Sequence, residues 1–202
     1  DIQFDGEINN DEFAARRERL KTLWLLGVNQ PFNQSDWSAS KDRLLRELLE
    51  KDFAAATLAE SLADVDPEKH TVALRVVYDS GPVFTFGELK IEGLNKYPAD
   101  LVSRYNTIEP GDRYEQERLL RLLDELQGTT YFSSVDVKID ADDRQPRNVP
   151  IDVTVLESDS KRLGLGAGYS SNTGFRTEAT YQYNNLFDRA YSLVTGVRIE
   201  QK

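Results

Sequence analysis

The chain has 202 residues, no Cys, no Met, 30% charged side chains and a formal net charge of −10, which excludes a disulfide-stapled module, a Cys-ligated metal centre and a Cys nucleophile. Residues 1–160 carry net −13 and residues 161–202 net +3; so acidic a body repels a phosphate backbone, and nucleic acid is discarded as a partner. The apolar run Leu23-Trp24-Leu25-Leu26 is as long as any, far below the ~18–20 residues of a spanning helix, and the lack of an initiator Met or a basic-then-apolar leader reads as a processed or excised piece of a longer protein.

In chain order, Ile2-Gln3-Phe4-Asp5-Gly6 reads as a short strand. Phe13, Leu20, Leu23 and Trp24 lie on one long helix stopped by Gly27, and Leu44, Leu45, Leu48 and Leu49 form the stripe of a second helix. Between Phe53 and Ser61 no strand is clearly delimited. Val72 to Asp79 then alternates as a strand.

From Phe86 to Glu92 a strand is closed by Gly93, and Asn95-Lys96-Tyr97-Pro98 opens a helix with Pro98 near its first position, where a missing N–H costs nothing. Leu101, Val102 and Tyr105 would face inward. Asp112-Arg113-Tyr114-Glu115 has the spacing of a capping box, ahead of an apolar stripe at Leu119, Leu122, Leu123 and Leu126 that ends at Gly128. Val135, Val137 and Ile139 alternate with polar neighbours, as do Ile151, Val153 and Val155.

These two stretches are copies of one unit. Asp42-Arg43-Leu44-Leu45-Arg46-Glu47-Leu48-Leu49 matches Glu117-Arg118-Leu119-Leu120-Arg121-Leu122-Leu123-Asp124 at an offset of 75, and Val72 to Asp79 matches Ile151 to Ser158 at an offset of 79. Ile2 to Gly6 resembles Leu89 to Gly93. A period of about 80 residues with the order strand, helix, helix, strand, strand therefore fills residues 1–160. Such a sheet leaves one face and at least one edge free, and an open edge either accepts an extended peptide or is merely protected by charge and short length.

From Arg162 the rule changes. Leu163, Leu165, Ala167 and Tyr169 fall on one face with Gly164, Gly166 and Gly168 on the other, ahead of a turn at Ser170-Ser171-Asn172-Thr173-Gly174. Phe175, Thr177, Ala179, Tyr181 and Tyr183 form a second strand, Asn184 to Arg189 a connection, and Tyr191, Leu193, Thr195, Val197 and Ile199 a third. Strands of roughly ten residues with one apolar, aromatic face are the signature of a transmembrane β-barrel, although a water-soluble meander alternates identically. Tyr at strand ends favours the membrane. Three strands cannot close a barrel, for which about eight are needed.

Units of this order joined through Glu157-Ser158-Asp159-Ser160 to Gly-rich strands resemble the POTRA repeats of bacterial outer-membrane assembly factors. The wording of Phe86 to Gly93, Pro110 to Tyr114, Tyr131 to Val135 and Gly166 to Gly174 is most similar to the TamA branch, the outer-membrane subunits of translocation and assembly modules. The resemblance implies an α+β fold: a POTRA repeat at 1–82, the second of its parent in chain order, a barrel-proximal repeat at 83–160, and the first three barrel strands at 161–202. It further implies repeats in the periplasm, a barrel in the outer membrane, and insertion of other outer-membrane proteins, autotransporters among them, with no cofactor and no chemical step. The implied partners are a TamB-like inner-membrane-anchored periplasmic protein, unfolded outer-membrane protein clients, and outer-membrane lipid around the complete barrel. A BamA-like insertase and a two-partner secretion translocator are close alternatives, and a soluble periplasmic binding module is the alternative of another class. In the family the first barrel strand pairs weakly with the last. That assigns the lateral-gate strand to Gly164, Leu165, Gly166, Gly168 and Tyr169, whose glycines weaken it or simply make room on the lumen side. The repeat's protein-binding edge falls to Val135, Val137 and Ile139.

No enzymatic site is expected. The single His, His70, sits in an Asp/Pro-rich turn before a strand, and Gly164-Leu165-Gly166-Ala167-Gly168 is followed by no helix that could receive a phosphate. Asp140, Asp142 and Asp143 lack the Gly and Glu of a calcium loop, since Gln145 and Ile151 stand there.

Overall fold

The short alternating stretch at the start forms β1 (Ile2–Asp5), followed by two 3-10 turns at Glu7–Asn9 and Asp11–Phe13 and then α1 (Ala14–Thr22). The expected long first helix is thus shorter than the sequence suggested. Its apolar residues Leu23 and Trp24 lie beyond its end, still packed on the core, and Gly27, which was to stop it, is not its cap. α2 (Gln34–Leu49) starts where Asn33 accepts the Asp36 N–H at 3.1 Å, satisfying one of the orphan donors of the first turn. β2 (Thr57–Asp66) and β3 (Thr71–Asp79) complete the first sheet in the order β1-β3-β2, with β1 parallel and β2 antiparallel to β3. β2 escaped the sequence reading for a physical reason. Its register slips between Leu58 and Glu60 and most of its residues are exposed, so no alternation survives to be read.

The core of this repeat gathers Phe4, Ile8, Phe13, Leu20, Trp37, Leu44, Leu48, Phe53, Val76 and Tyr78. The inward stripe of α2 falls on Trp37, Leu44 and Leu48, with Leu45 and Leu49 partly buried beside it. Phe13 meets Phe53 edge-on at 5.0 Å and Trp24 meets Trp37 at 5.6 Å.

β4 (Thr85–Glu92), a four-residue α3 (Asp100–Ser103), α4 (Gln116–Gln127), β5 (Phe132–Ile139) and β6 (Asn148–Glu157) repeat the order of the first copy, and the second sheet runs β4-β6-β5. Leu101 and Val102 are buried as expected and Tyr105 is half-buried. The capping box is not formed. α4 begins only at Gln116, because Arg113 and Glu115 are held in bridges to Thr85 and Lys51, and the Asp112 carboxylate instead accepts the Glu109 N–H at 3.0 Å and pairs with Arg118 at 2.8 Å.

β7 (Lys161–Ser170), β8 (Gly174–Leu186) and β9 (Tyr191–Glu200) form a third, antiparallel sheet in chain order. The computed structural model describes residues 1–142, 147–170, 174–186 and 191–200, so positions 171–173 of the predicted turn, 187–189 of the predicted connection, and 143 and 145 lie outside the described residues. Asn184, Asn185 and Leu186, expected in that connection, belong to β8. The whole is α+β, with two tandem POTRA-type sheets and an open sheet of barrel-type strands. The chain divides into two units, residues 1–88, 108–119 and 139–151 in one, and residues 89–107, 120–138 and 152–202 in the other.

Candidate functional site

β7 is an edge strand, hydrogen-bonded to β8 alone among the described strands. Register places Leu163 opposite Tyr181, Leu165 opposite Ala179, Ala167 opposite Thr177 and Tyr169 opposite Phe175, with Thr195, Val197 and Ile199 of β9 continuing the rows. The other face reads Gly164-Thr180-Gly196, Gly166-Glu178-Arg198 and Gly168-Arg176-Glu200. One face is therefore apolar and aromatic, the other polar, with Arg198 pairing Glu178 at 3.3 Å. The apolar face is bare: Leu165 is 77% exposed, and Leu163, Tyr169, Phe175, Val197 and Ile199 are also exposed. Surface of this kind in one continuous row calls for a nonaqueous neighbour.

The three glycines are not forced by crowding. A methyl added at Gly164 would meet Thr180 Cβ at 3.8 Å and Thr180 O at 3.9 Å, at Gly166 Glu178 Cβ at 3.8 Å, all ordinary contacts, and at Gly168 the flexible side chain of Arg176 at 3.0 Å. Their effect is to leave the polar face of the edge strand without side chains from Gly164 to Gly168, beyond Arg162, and with more backbone freedom than its neighbours.

β5 is likewise at a sheet edge. Val135 is buried, while Val137 and Ile139 are half-buried. The Gln127 amide at the end of α4 donates to Val135 O at 3.3 Å.

The sequence reading missed the polar cluster that ties β8 to the repeat beside it. The Glu157 carboxylate, last residue of β6, accepts backbone N–H groups from Asn95, Lys96 and Tyr97 at 2.8–3.1 Å. Burial pushes this carboxyl up, but the three N–H bonds and the Lys96 charge outweigh it and hold Glu157 below the usual glutamate value. Lys96 O in turn accepts from Asn185 Nδ2 at 3.2 Å, and Asn184 N donates to Ser160 O at 2.7 Å. Asn184 Oδ1 accepts from Gln182 and Ser192. Both asparagines are buried, an arrangement made possible by the register shift between Tyr183 and Leu186. The available signal was the adjacent Asn pair interrupting the alternation of β8. Tyr97 packs edge-on against Tyr131 at 5.3 Å and Phe132 at 6.3 Å in the same place.

His70 stands in a turn with φ 51°, and no group of three His, Asp or Glu side chains suited to a metal occurs among the described residues. No helix among them is long and apolar enough to cross a membrane, which does not bear on strands.

Residues 84–158 match the POTRA family, described as a surface antigen variable number repeat. Over 193 residues the chain is 28% identical to the outer membrane protein assembly factor BamA of Nitratidesulfovibrio vulgaris, covering 94% of this chain and 24% of that protein. The chain thus spans about a quarter of the length of that curated relative. The crystal structure of Haemophilus ducreyi BamA lacking POTRA domains 1–3 superposes with a TM-score of 0.76 at 17% identity, over 97% of this chain and 37% of the other. CdiB from Acinetobacter baumannii gives 0.54 at 14% identity, over 98% and 37%. Both structures share the fold of this chain. Residues 84–158 thus match a POTRA repeat, and nearly the whole chain is similar to a part of a BamA protein.

Proposed function

We propose that this chain is the part of an outer-membrane protein assembly factor in which periplasmic repeats meet the first strands of the barrel, and that the complete protein inserts other outer-membrane proteins. The observation that carries the reading is the succession in one chain of a POTRA domain at 84–158 and an edge strand, β7, with one bare apolar face and one polar face. In this reading residues 1–82 and 83–160 are periplasmic repeats and 161–202 lie in the outer membrane, surrounded by lipid once the barrel is complete. β7 is the lateral-gate strand, with Gly164, Gly166 and Gly168 keeping its seam soft and Leu165 and Tyr169 facing lipid. A client strand pairs with its free edge, so the work is templating rather than catalysis. The edge at Val135, Val137 and Ile139 binds partner or client backbone.

The finer assignment is to the TamA branch, with autotransporters among the clients and a TamB-like inner-membrane-anchored protein as partner; its support is the wording of the motifs around Phe86, Pro110, Tyr131 and Gly166. A BamA-like insertase is the second reading, favoured by the 28% identity to the N. vulgaris protein.

The test is client insertion into liposomes by the complete protein carrying Gly166→Val and Gly168→Val. Strand propensity for Val over Gly amounts to about 1 kcal/mol per position. If that stabilisation must be undone when the seam opens, two substitutions raise the barrier by about 2 kcal/mol and slow insertion by roughly 30-fold. Unchanged insertion by a correctly folded variant would overturn the gate assignment. Val137→Pro removes a backbone donor from β5, and partner binding that survives it would overturn the edge assignment.

A further inference from the structure

The end of α2 carries a buried carboxylate that no part of the foregoing reading uses. Asp52 is 3% exposed and has φ 64°, the left-handed region that a non-glycine residue rarely enters. Its Oδ2 accepts from Arg16 Nη1 at 2.9 Å, and its Oδ1 faces Arg113 Nη1 at 3.7 Å. Arg16 comes from α1 of the first repeat, Arg113 from the stretch before α4 of the second.

Each arginine is itself fixed by a second set of contacts. Arg16 Nη2 donates to Glu47 O at 2.8 Å, Leu48 O at 3.3 Å and Lys51 O at 2.9 Å, taking up carbonyls at the C-terminal end of α2 that have no partner within the helix. Its guanidinium also lies over the Phe53 ring at 5.2 Å. Arg113 donates to Glu12 at 3.0 Å and sits over Phe13 at 5.9 Å.

The backbone around Asp52 closes the same circuit. Asp52 N donates to Tyr114 O at 2.9 Å, Tyr114 N to Phe84 O at 3.0 Å, and Phe84 N to Asp52 O at 2.8 Å. Gln116 N donates to Glu50 O at 2.9 Å, and Lys51 pairs with Glu115. The positive φ of Asp52 is what turns the chain at the end of α2 so that its N–H and C=O both meet this triangle. The connecting residues are tied down as well: Val83 N donates to Glu7 Oε2 at 2.8 Å, Glu7 N to Gly81 O at 3.1 Å, and Arg147 pairs with Glu7 at 2.5 Å.

We infer that Asp52, clasped by Arg16 and Arg113, is a positioning residue that locks the first repeat to residues Phe84–Phe86 and Asp112–Gln116, so that the connection at Ser80–Val83 does not act as a hinge. The inference is independent of the proposed function.

The chain lacks Cys, so two nitroxide labels can be placed without background, at Ala39→Cys on α2 and Glu88→Cys on β4, both exposed. The full chain in detergent micelles is then examined by pulsed electron-spin distance measurement. The lock predicts one narrow distance distribution, broadened by Asp52→Gly, which relaxes the backbone but removes the carboxylate, and restored in part by Asp52→Asn, which keeps an acceptor and tolerates the left-handed region. A distribution equally narrow in Asp52→Gly, with the amide protection of the first-repeat core unchanged, overturns the inference. Should Asp52→Gly fail to fold, Arg113→Gln serves instead. Arg113 is half-exposed and outside the hydrophobic core, so its loss leaves each repeat folded; broadening supports the lock and an unchanged distribution refutes it.

Discussion

The three backbone donors on Glu157 allow a local stability to be worked out and measured. Hydrogen bonds to a charged acceptor net about 1.5–3 kcal/mol each against about 0.5–1.5 for neutral ones. The carboxylate is only half-buried, so solvent screening puts the sum for all three near the low end of a single well-buried bond, about 2 kcal/mol. Glu157→Gln keeps the shape and a neutral carbonyl acceptor at the Oε1 position for Asn95, Lys96 and Tyr97, but loses the charge and sets an amide NH2 against the Lys96 N–H where Oε2 had accepted it. Amide hydrogen exchange reports each of those positions directly, and about 2 kcal/mol corresponds to exchange roughly 30-fold faster in the variant at neutral pH. The pH dependence has a defined sign. The folded carboxyl lies below its ordinary value, so its contribution is complete above the unfolded glutamate pKa and is lost as pH falls through the folded one. Wild type and variant should therefore differ at neutral pH and converge in acid, once intrinsic exchange rates are divided out. Equal protection at neutral pH, or wild-type protection that grows on acidification, would refute the account of this cluster.

Two further substitutions test the packing. Gly93 has φ 94°, and a Cβ there would be driven into Val155 O across the sheet; Gly93→Ala should cost ~3 kcal/mol or more and be seen as a lost or strongly lowered unfolding transition of the second repeat by circular dichroism. In the first repeat Leu48→Ala empties a fully buried site and should cost about 2–5 kcal/mol in urea unfolding, whereas Leu120→Ala, half-exposed on α4, should stay within about 0.5 kcal/mol. Comparable losses at the two positions would contradict the assignment of inward faces.

Where periodicity was strong, the fold was legible. The stripes of α2 and α4 and the alternation of β3 and β6 place Leu44, Leu48, Leu122, Leu126, Val76, Ile151 and Val153 in the interior, where the structure has them. The repeat itself came from matching two such stripes. Legibility failed where local chemistry was overridden by long-range pairing. Asp112-Arg113-Tyr114-Glu115 has every residue of a cap, yet bridges from Thr85 and Lys51 hold that stretch extended. β2 lost its alternation to a register slip, and Leu23 and Trp24 look helical because they pack inward from an irregular segment. The edge positions of β5 and β7 follow from strand order, which periodicity does not contain. The Asp52 and Glu157 clusters draw on residues 36 to 89 positions apart, joined by no spacing rule, so only coordinates reveal them.

The central claim is that β7 to β9 are membrane strands continuing directly from a POTRA repeat. It is tested most directly by placing a nitroxide at each position from Leu163 to Tyr169 in the complete protein in lipid bilayers and comparing collision with oxygen, which concentrates in lipid, and with a water-soluble nickel chelate. The account predicts a period of two, with oxygen favoured at Leu163, Leu165, Ala167 and Tyr169 and the chelate at Gly164, Gly166 and Gly168. Chelate access at all seven positions would contradict it and return these strands to a water-soluble meander.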